Sequence, residues 1–309
     1  MKRDAFITLM NVDKLIGKRK RIDNVSLHCQ SGKIYGLIGP NGSGKTTLMN
    51  LITGFYQADK GEVSVCGYSP VQGYKKVRTL IGFAPQETAL YPELSARENL
   101  LFHAALHLRD DGQIKQKVEM ILELMELQKR ADEPVKNYSG GMKRRLSIGR
   151  ALLTDPKVVL LDEPTLGVDV QSVHKIWEYI KRLKTLDKVI LVASNAMNEA
   201  EALSDEVIIL DNGKKIAQAT LSDLKKTHGG EKILIKFKET LSSAHLSELL
   251  GTYHQDEAGY LILEAANGEK DLIALIEKVS NRYEISSIAL RKLTLDDIFL
   301  EKTGRALRN

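Results

Sequence analysis

Residues 39–46 carry the strongest pattern in the chain, G-x-x-x-x-G-K-[ST], in the sequence Gly39-Pro40-Asn41-Gly42-Ser43-Gly44-Lys45-Thr46. The pattern lies between a predicted apolar strand at residues 34–38 and a predicted helix at residues 46–52. In that setting the glycines let backbone N–H groups converge on phosphate oxygens, and the helix N-terminus attracts negative charge. We predict that Lys45 reaches the β- and γ-phosphates of a nucleotide and that the Thr46 hydroxyl ligates Mg²⁺. A plain glycine-rich turn is the alternative, which the strand-loop-helix setting disfavours.

A pair of carboxylates follows a second apolar strand, in Val158-Val159-Leu160-Leu161-Asp162-Glu163-Pro164. Open α/β sheets bind ligands at the edge formed by the C-terminal ends of their strands. We predict that Asp162 holds Mg²⁺ or its water and that Glu163 orients or deprotonates an attacking water. Alone, the run would also fit a strand and a charged turn, but together with residues 39–46 it indicates a nucleotide site.

The region around these motifs, up to about residue 220, alternates short Val, Ile and Leu runs with helix-period stretches. This alternation predicts an α/β fold with a mainly parallel sheet covered by helices. The strands are predicted at residues 34–38, 62–65, 80–84, 157–161, 188–193 and 205–210.

Two further regions are distinguished by their patterns. The strand signal disappears at about residues 92–156, where a capping box at Ser95-x-x-Glu98 indicates an inserted helical subdomain. After Gly229-Gly230 the order β-α-β-β-α-β predicts a small α+β domain of the split βαβ, ferredoxin-like type. We therefore predict a nucleotide-binding domain at residues 1–228 and an accessory domain at residues 229–309.

The overall composition is that of an ordinary globular protein, with 43% hydrophobic and 28% charged residues among 309. It excludes fibrous and disordered classes. The longest apolar runs, at residues 189–193 and 272–276, are far shorter than the roughly 20 residues of a spanning helix. We therefore expect no direct membrane spanning and, without a recognisable secretory signal, a cytoplasmic location.

The net charge of +5 results from 45 basic and 40 acidic residues. The basic excess lies in the first two thirds of the chain, which suits a protein that holds a polyanionic nucleotide. Nucleic acid or an anionic membrane surface would also suit it. The run Lys18-Arg19-Lys20-Arg21 is interpreted as a solvated turn.

Three more motifs identify a resemblance, because they occur in one family's order between residues 5 and about 220. Ser139-Gly140-Gly141 resembles the signature of the ATP-binding cassette family, Pro85-Gln86 its Q-loop, and Leu166-Gly167-Val168-Asp169 its D-loop. The run at residues 293–305 is similar to the ending of cassette subunits in bacterial drug and antibiotic exporters.

The resemblance implies a P-loop NTPase core that uses ATP and Mg²⁺. It also implies a head-to-tail sandwich with a second nucleotide-binding subunit, as a homodimer or a related heterodimer. The implied catalytic residues are Glu163, Gln86 and Asn195, and the implied metal ligands are Thr46, Gln86 and Asp162. The implied nucleotide contacts are Gly39, Pro40, Asn41, Gly42, Ser43, Gly44, Lys45, Thr46, Thr47, Ser139, Gly140, Gly141 and Asp169.

The function expected from the resemblance is that of an ATPase subunit of a membrane exporter, peripheral at the cytoplasmic face. Gln86 would link the γ-phosphate and Mg²⁺ to the helical subdomain, whose surface would engage a separate transmembrane permease. Two positions depart from the family pattern: Asn195 replaces the usual histidine, and Ile16 replaces an adenine-stacking aromatic. We therefore expect a reduced hydrolysis rate and modest nucleotide affinity.

Two other functions stay open at this point. The chain could be a nucleotide-dependent regulatory module with little hydrolysis, or a soluble cassette protein that acts on the ribosome or DNA. A single cassette without a long heptad-repeat insertion disfavours the latter, so no nucleic-acid partner is expected.

Overall fold

The computed structural model describes residues 5–227, 231–256 and 258–303, which form two compact units. The first unit extends to Ala219, and the second begins at Thr220. The predicted boundary at Gly229-Gly230 lies outside the described residues, and the helix at Leu221–Thr227 belongs to the second unit.

The first unit contains nine described strands and seven described α-helices. The strands are β1 (Ala5–Ile16), β2 (Arg19–Gln30), β3 (Lys33–Ile38), β4 (Lys60–Val65), β5 (Ile81–Ala84), β6 (Val158–Asp162), β7 (Val189–Ser194), β8 (Glu206–Asp211) and β9 (Lys214–Thr220). The helices are α1 (Lys45–Ile52), α2 (Tyr74–Leu80), α3 (Ala96–Ala105), α4 (Asp111–Leu124), α5 (Gly140–Ala151), α6 (Val170–Lys184) and α7 (Met197–Leu203).

The central sheet has the strand order β5-β6-β7-β3-β8-β9, and the pairs β5–β6, β6–β7, β7–β3 and β3–β8 are parallel. Every residue of β6 and β7 is buried, as expected for strands covered by helices on both faces. The predicted α/β fold is therefore confirmed.

A second sheet, which sequence analysis missed, is antiparallel and has the order β2-β1-β4. The predictions placed no strand before residue 34 and assigned residues 62–65 to the parallel sheet, and both assignments were wrong. In β1 the buried side chains Ile7 and Leu9 alternate with the less buried Thr8 and Met10. This period-2 pattern is typical of a half-buried antiparallel strand, so it lacks the continuous apolar run by which the other strands were recognised.

The helical subdomain is confirmed between residues 92 and 156, where α3, α4 and α5 lie without a strand. Both bonds of the capping box are present, because the Glu98 N–H donates to Ser95 Oγ at 3.2 Å and the Ser95 N–H donates to Glu98 Oε2 at 2.8 Å. These bonds make Ser95 the N-cap of α3, as the capping box predicts.

The second unit forms its own four-stranded antiparallel sheet, with the order β11-β12-β10-β13. Its elements are α8 (Leu221–Thr227), β10 (Glu231–Phe237), α9 (Ser243–Leu250), β11 (His254–Gln255), β12 (Leu261–Ala265), α10 (Gly268–Val279), β13 (Ile285–Arg291) and α11 (Leu295–Thr303). The β-α-β-β-α-β order and the strand arrangement confirm the split βαβ fold. Its core includes Ile235, Ala265 and Val279.

None of the helices in the described part of the chain has both the length and the apolar character needed to cross a bilayer.

Candidate nucleotide site

The register of three parallel strands brings their following loops together at one edge of the sheet. Ile38 of β3 pairs with Ser194 of β7, and Asp162 of β6 pairs with Ala193 of β7. The three strands therefore end at nearly the same level. The residues that come next, Gly39, Glu163 and Asn195, consequently lie side by side.

The phosphate loop has a backbone that only glycine fits at two of its positions. Gly39 has φ +155°, and a Cβ there would lie 2.1 Å from the carbonyl oxygen of Leu210. Gly44 has φ +113°, and a Cβ there would lie 2.8 Å from the carbonyl oxygen of Arg21. Because Gly44 immediately precedes α1, the loop leads directly into the N-terminus of that helix, which attracts anions.

A single cleft contains most of the predicted site residues. It is lined by Arg21, Asn41, Gly42, Gly44, Lys45, Thr46, Thr47, Gln86, Asp162, Glu163 and Asn195. Gly39, Pro40 and Ser43 belong to the same loop but do not line the cleft. The structure thus brings the phosphate loop, both carboxylates, Gln86 and Asn195 to one place.

Lys45 is the buried cation of this cleft, with 7% of its surface exposed. Its Nζ donates to the carbonyl oxygen of Gly39 at 2.7 Å and to Asn195 Oδ1. Burial lowers the pKa of Lys45, and the carboxylates of Glu163 and Asp162 partly oppose this effect. A site that buries an ammonium group against carbonyl oxygens is suited to receive an anion.

Asp162 and Glu163 have different neighbours although they are adjacent in sequence. Asp162 Oδ2 accepts from the Thr46 hydroxyl at 3.1 Å, whereas Glu163 Oε2 accepts from the Asn195 N–H at 3.3 Å. Burial raises the pKa of both carboxyl groups. Glu163 also has φ +49°, a strained backbone conformation of the kind that concentrates at functional sites.

The Asn195 side chain faces the cleft. In addition to accepting from Lys45, it donates from Nδ2 to Asn41 Oδ1 at 2.7 Å. Asn195 therefore joins the loop after β7 to the phosphate loop, at the position where the resemblance implies a histidine.

The signature and the D-loop lie outside the cleft of the same chain. Ser139 and Gly140 are exposed, and the Ser139 hydroxyl caps α5 by accepting from the Met142 N–H at 3.3 Å. Gly141 packs so closely on α6 that a Cβ there would lie 2.6 Å from Ser172 Oγ. Asp169 is exposed and caps α6 by accepting from the Ser172 N–H at 3.0 Å.

Sequence analysis missed Arg144, a buried residue of α5 that is 3% exposed. Its guanidinium donates to the carbonyl oxygens of Pro85 at 2.6 Å and Pro164 at 3.0 Å, and also to that of Asp162. Desolvation lowers the pKa of Arg144 to about 10. The arginine therefore ties the signature helix to the segment before Gln86 and to the end of β6. Residues 141, 144, 148 and 151 lie on one buried stripe of α5. The position of Arg144 on this stripe was the sequence signal that could have indicated its burial.

Comparison with known proteins identifies the family. Residues 22–166 match the family described as ABC transporter. The linearmycin resistance ATP-binding protein of Bacillus subtilis (strain 168) is 35% identical over 97% of this chain and 98% of its own length. The chain belongs to the ABC transporter family. Residues 220–303 of this cassette protein also match the C-terminal domain described as ATP-binding protein DrrA1-3-like.

Other relatives of this ABC protein are similar over nearly the whole chain. The Nod factor export ATP-binding protein I of Cupriavidus metallidurans is 35% identical over 99% of both chains. The daunorubicin resistance ATP-binding protein DrrA3 of Streptomyces coeruleorubidus is 32% identical over 97% of this chain and 96% of its own.

Solved cassettes share the fold of the first unit. The ATP-binding subunit of an ABC transporter superposes with a TM-score of 0.66 and 26% identity, covering 72% of this chain and 92% of its own. A dimeric cassette in a post-hydrolysis state bound to ADP and Pi gives a TM-score of 0.63 and 27% identity, covering 70% and 98%. The predicted cassette fold and the predicted ATPase class with ATP as its nucleotide are confirmed.

The raised pKa of Glu163 predicts a pH-dependent gain in stability for Glu163→Gln. Below the unfolded-state pKa of about 4.3, the carboxyl group is protonated in both states, so folding buries no charge. Above the folded-state pKa, the folded protein must bury the charged carboxylate, and this lowers the free energy of unfolding. We expect the nucleotide-free variant to melt at a higher temperature than the parent protein at pH 7, by about 2–4 °C for each kcal/mol of burial cost removed, with the gain shrinking toward pH 4.

Calorimetry across that pH range measures the effect, and Glu178→Gln on the exposed surface of α6 is the matched control. An equal Tm for Glu163→Gln and the parent protein at pH 7 would contradict the assigned burial cost.

Proposed function

We propose that this chain is the ATP-binding and ATP-hydrolysing subunit of an ABC exporter. It would dimerise around two ATP molecules and drive a separate permease from the cytoplasmic face of the membrane. The observation that carries the proposal is that the phosphate cleft and the signature lie apart within one chain. The phosphate cleft holds Lys45, Glu163 and Asn195, whereas the exposed signature at Ser139 lies outside it, so a complete site needs a second subunit.

The cleft is suited to ATP with Mg²⁺. The loop N–H groups and Lys45 would hold the β- and γ-phosphates. Thr46 Oγ1 lies 3.1 Å from Asp162 Oδ2, so a hydroxyl and a carboxylate oxygen stand together, as a hard cation requires. Gln86 lines the same cleft and completes the proposed set of ligands. The metal would neutralise phosphate charge.

Glu163 is the proposed general base. The attacking water would give a proton to its carboxylate while the water oxygen bonds to the γ-phosphorus and the bond to the ADP oxygen breaks. The raised pKa of Glu163 favours proton acceptance, and the bond from the Asn195 N–H holds one carboxylate oxygen. Asn195 Nδ2 would donate to the γ-phosphoryl oxygens as charge develops there.

An exposed apolar groove supports a membrane partner, and it lies outside the helical subdomain that was expected above to engage the permease. It is lined by Thr53, Gly54, Phe55, Val71, Tyr74, Arg78, Ile81 and Phe83. Phe55 and Tyr74 both line the groove and are 75% and 54% exposed, so it presents aromatic surface to solvent, as a site for a partner does. Ile81 and Phe83 belong to β5, which leads directly to Pro85-Gln86. A permease segment in the groove would therefore lie on the strand that positions Gln86.

The matched relatives support this function over the two alternatives. They are ATP-binding proteins named for antibiotic resistance and Nod factor export. Transport by this chain is proposed by analogy with them, and the same analogy supports a peripheral position on the membrane and a dimer of identical or related subunits.

We expect Lys45→Ala to abolish ATP binding, whereas Glu163→Gln preserves binding and stabilises the ATP-bound dimer. Only the lysine change removes a phosphate contact, and the glutamate change blocks the step that would reopen the dimer. Equilibrium binding and sedimentation with Mg-ATP measure both effects. A Glu163→Gln protein that binds ATP and stays monomeric, also in the presence of its permease, would refute the sandwich.

We expect Asn195→His to raise the ATPase rate and Asn195→Ala to lower it by about tenfold or more, since one positioned donor contributes a few kcal/mol. Steady-state phosphate release from the permease-bound complex is the measurement. In a Glu163→Gln background neither change should matter, because the base is missing. An unchanged or lower rate for Asn195→His would mean that the amide is already the better donor, and residual turnover near zero in the parent protein would favour the regulatory module.

We expect Phe55→Ser to weaken permease association because it removes exposed apolar area from the groove. Co-purification from detergent-solubilised membranes measures association, and ATP binding should be unchanged. Leu186→Ser is the control, at an apolar residue that is 61% exposed and lies outside the groove. Full retention of the permease by the Phe55 variant would place the docking surface elsewhere.

A further inference from the structure

Arg21 lies in a β-bulge at the start of β2. Leu15 of β1 pairs with Lys20 and Lys14 pairs with Ile22, so Arg21 is the extra residue on the β2 side. Bulges interrupt the regular alternation of a strand and redirect a side chain, and they are frequent next to active sites.

The backbone of the bulge is packed against the phosphate loop. The carbonyl oxygen of Arg21 lies so close to Gly44 and Gly213 that a Cβ at those positions would be 2.8 Å and 2.6 Å from it. The Gly213 N–H donates to the carbonyl oxygen of Ser43 at 2.8 Å, and the Asp23 N–H donates to that of Gly213 at 2.8 Å. Arg21 is therefore positioned by the same contacts that hold the loop.

The guanidinium of Arg21 lies at the phosphate cleft. Its Nη1 is 3.9 Å from the position that a Cβ on Gly42 would occupy, and the residue lines the cleft with Lys45 and Gln86. The interpretation of residues 18–21 as a solvated turn is thus wrong for residues 19–21, which belong to β2, although Arg19 and Lys20 are exposed. Arg21 is half-buried.

The charge of Arg21 is available, in contrast to that of its neighbour. Lys20 Nζ pairs with Asp13 at 3.0 Å and with Asp23. Among the described residues, Arg21 has no carboxylate within ion-pair distance. A half-buried guanidinium without a counter-ion, next to a loop built for phosphate, is suited to bind a phosphate oxygen pair.

We propose that Arg21 binds the polyphosphate of the nucleotide and serves, with Lys45, as a second cation of the cleft. The proposal rests on the nucleotide-binding function proposed above. Arg21 thereby supplies affinity at a site where Ile16, an aliphatic and 38% exposed side chain, offers no aromatic platform for the base.

The test measures equilibrium dissociation constants of the full chain for ATP and for inorganic tripolyphosphate, at low and at high salt. The variants are Arg21→Ala, Arg21→Lys, Lys45→Ala and Arg19→Ala. Arg19→Ala is the control, because it removes the same charge two residues away and the Arg19 side chain does not line the cleft. Circular dichroism and thermal melting establish that each variant is folded.

We expect Arg21→Ala to weaken both ligands by a similar factor, about tenfold at low salt and less at high salt. Arg21→Lys keeps the charge but loses the two-donor fork, so it should weaken both ligands by less than Arg21→Ala does, and Arg19→Ala should bind like the parent protein.

Three results would overturn the proposal. Equal ligand affinities of the Arg21→Ala and Arg19→Ala variants would mean that the Arg21 side chain does not contact the bound polyphosphate. Weakened ATP binding with unchanged tripolyphosphate binding would assign Arg21 to the base instead. Loss of folding in both Arg21 variants would assign it to structure. Unaltered ATP binding by Lys45→Ala is a separate outcome, since it would refute the nucleotide site itself.

Discussion

The parallel register of β3, β6 and β7 is the constraint on which the rest of the site depends. Ile38 and Asp162 each pair with β7 at adjacent positions, so the loops that follow all three strands emerge together. A shift of one residue would turn each terminal side chain to the opposite face of the sheet. The complete burial of β6 and β7 prevents such a shift, because it would exchange one set of packed side chains for another. The hydrophobic core thus sets the geometry of the polar site.

The site concentrates charges that a folded protein ordinarily avoids burying. Four charged side chains are buried here: Lys45, Asp162, Glu163 and Arg144. Their pKa values are displaced toward the neutral forms by desolvation, and opposite charges and carbonyl oxygens compensate only in part. Together with the positive φ of Glu163, this destabilisation is of the kind that persists at functional sites because ligand binding or catalysis requires it.

The buried Arg144 connects the site to the surrounding fold. Arg144 joins the helix that carries the signature to the backbone of residues 85–86 and to the end of β6, through four carbonyl oxygens. Displacement of that helix would leave buried carbonyl groups without donors, which is costly in the protein interior. The helix that carries the exposed signature is therefore hydrogen-bonded both to the segment that follows β5 and to Asp162 of the cleft.

The sequence by itself determined the phosphate loop, the carboxylates after β6, the capping box of α3 and the order of elements in the second unit. These features depend on local spacing, and their physics acts over a few residues. Only the tertiary structure decided which groups face each other. The antiparallel sheet, the bonds of Asn195 to Lys45 and Asn41, the burial of Arg144 and the bulge at Arg21 all depend on pairing between segments far apart in sequence. A basic run or a lone arginine has the same local sequence pattern whether it is exposed to solvent or lines a binding site. Its role is set by the segments packed against it, and the local pattern does not contain them.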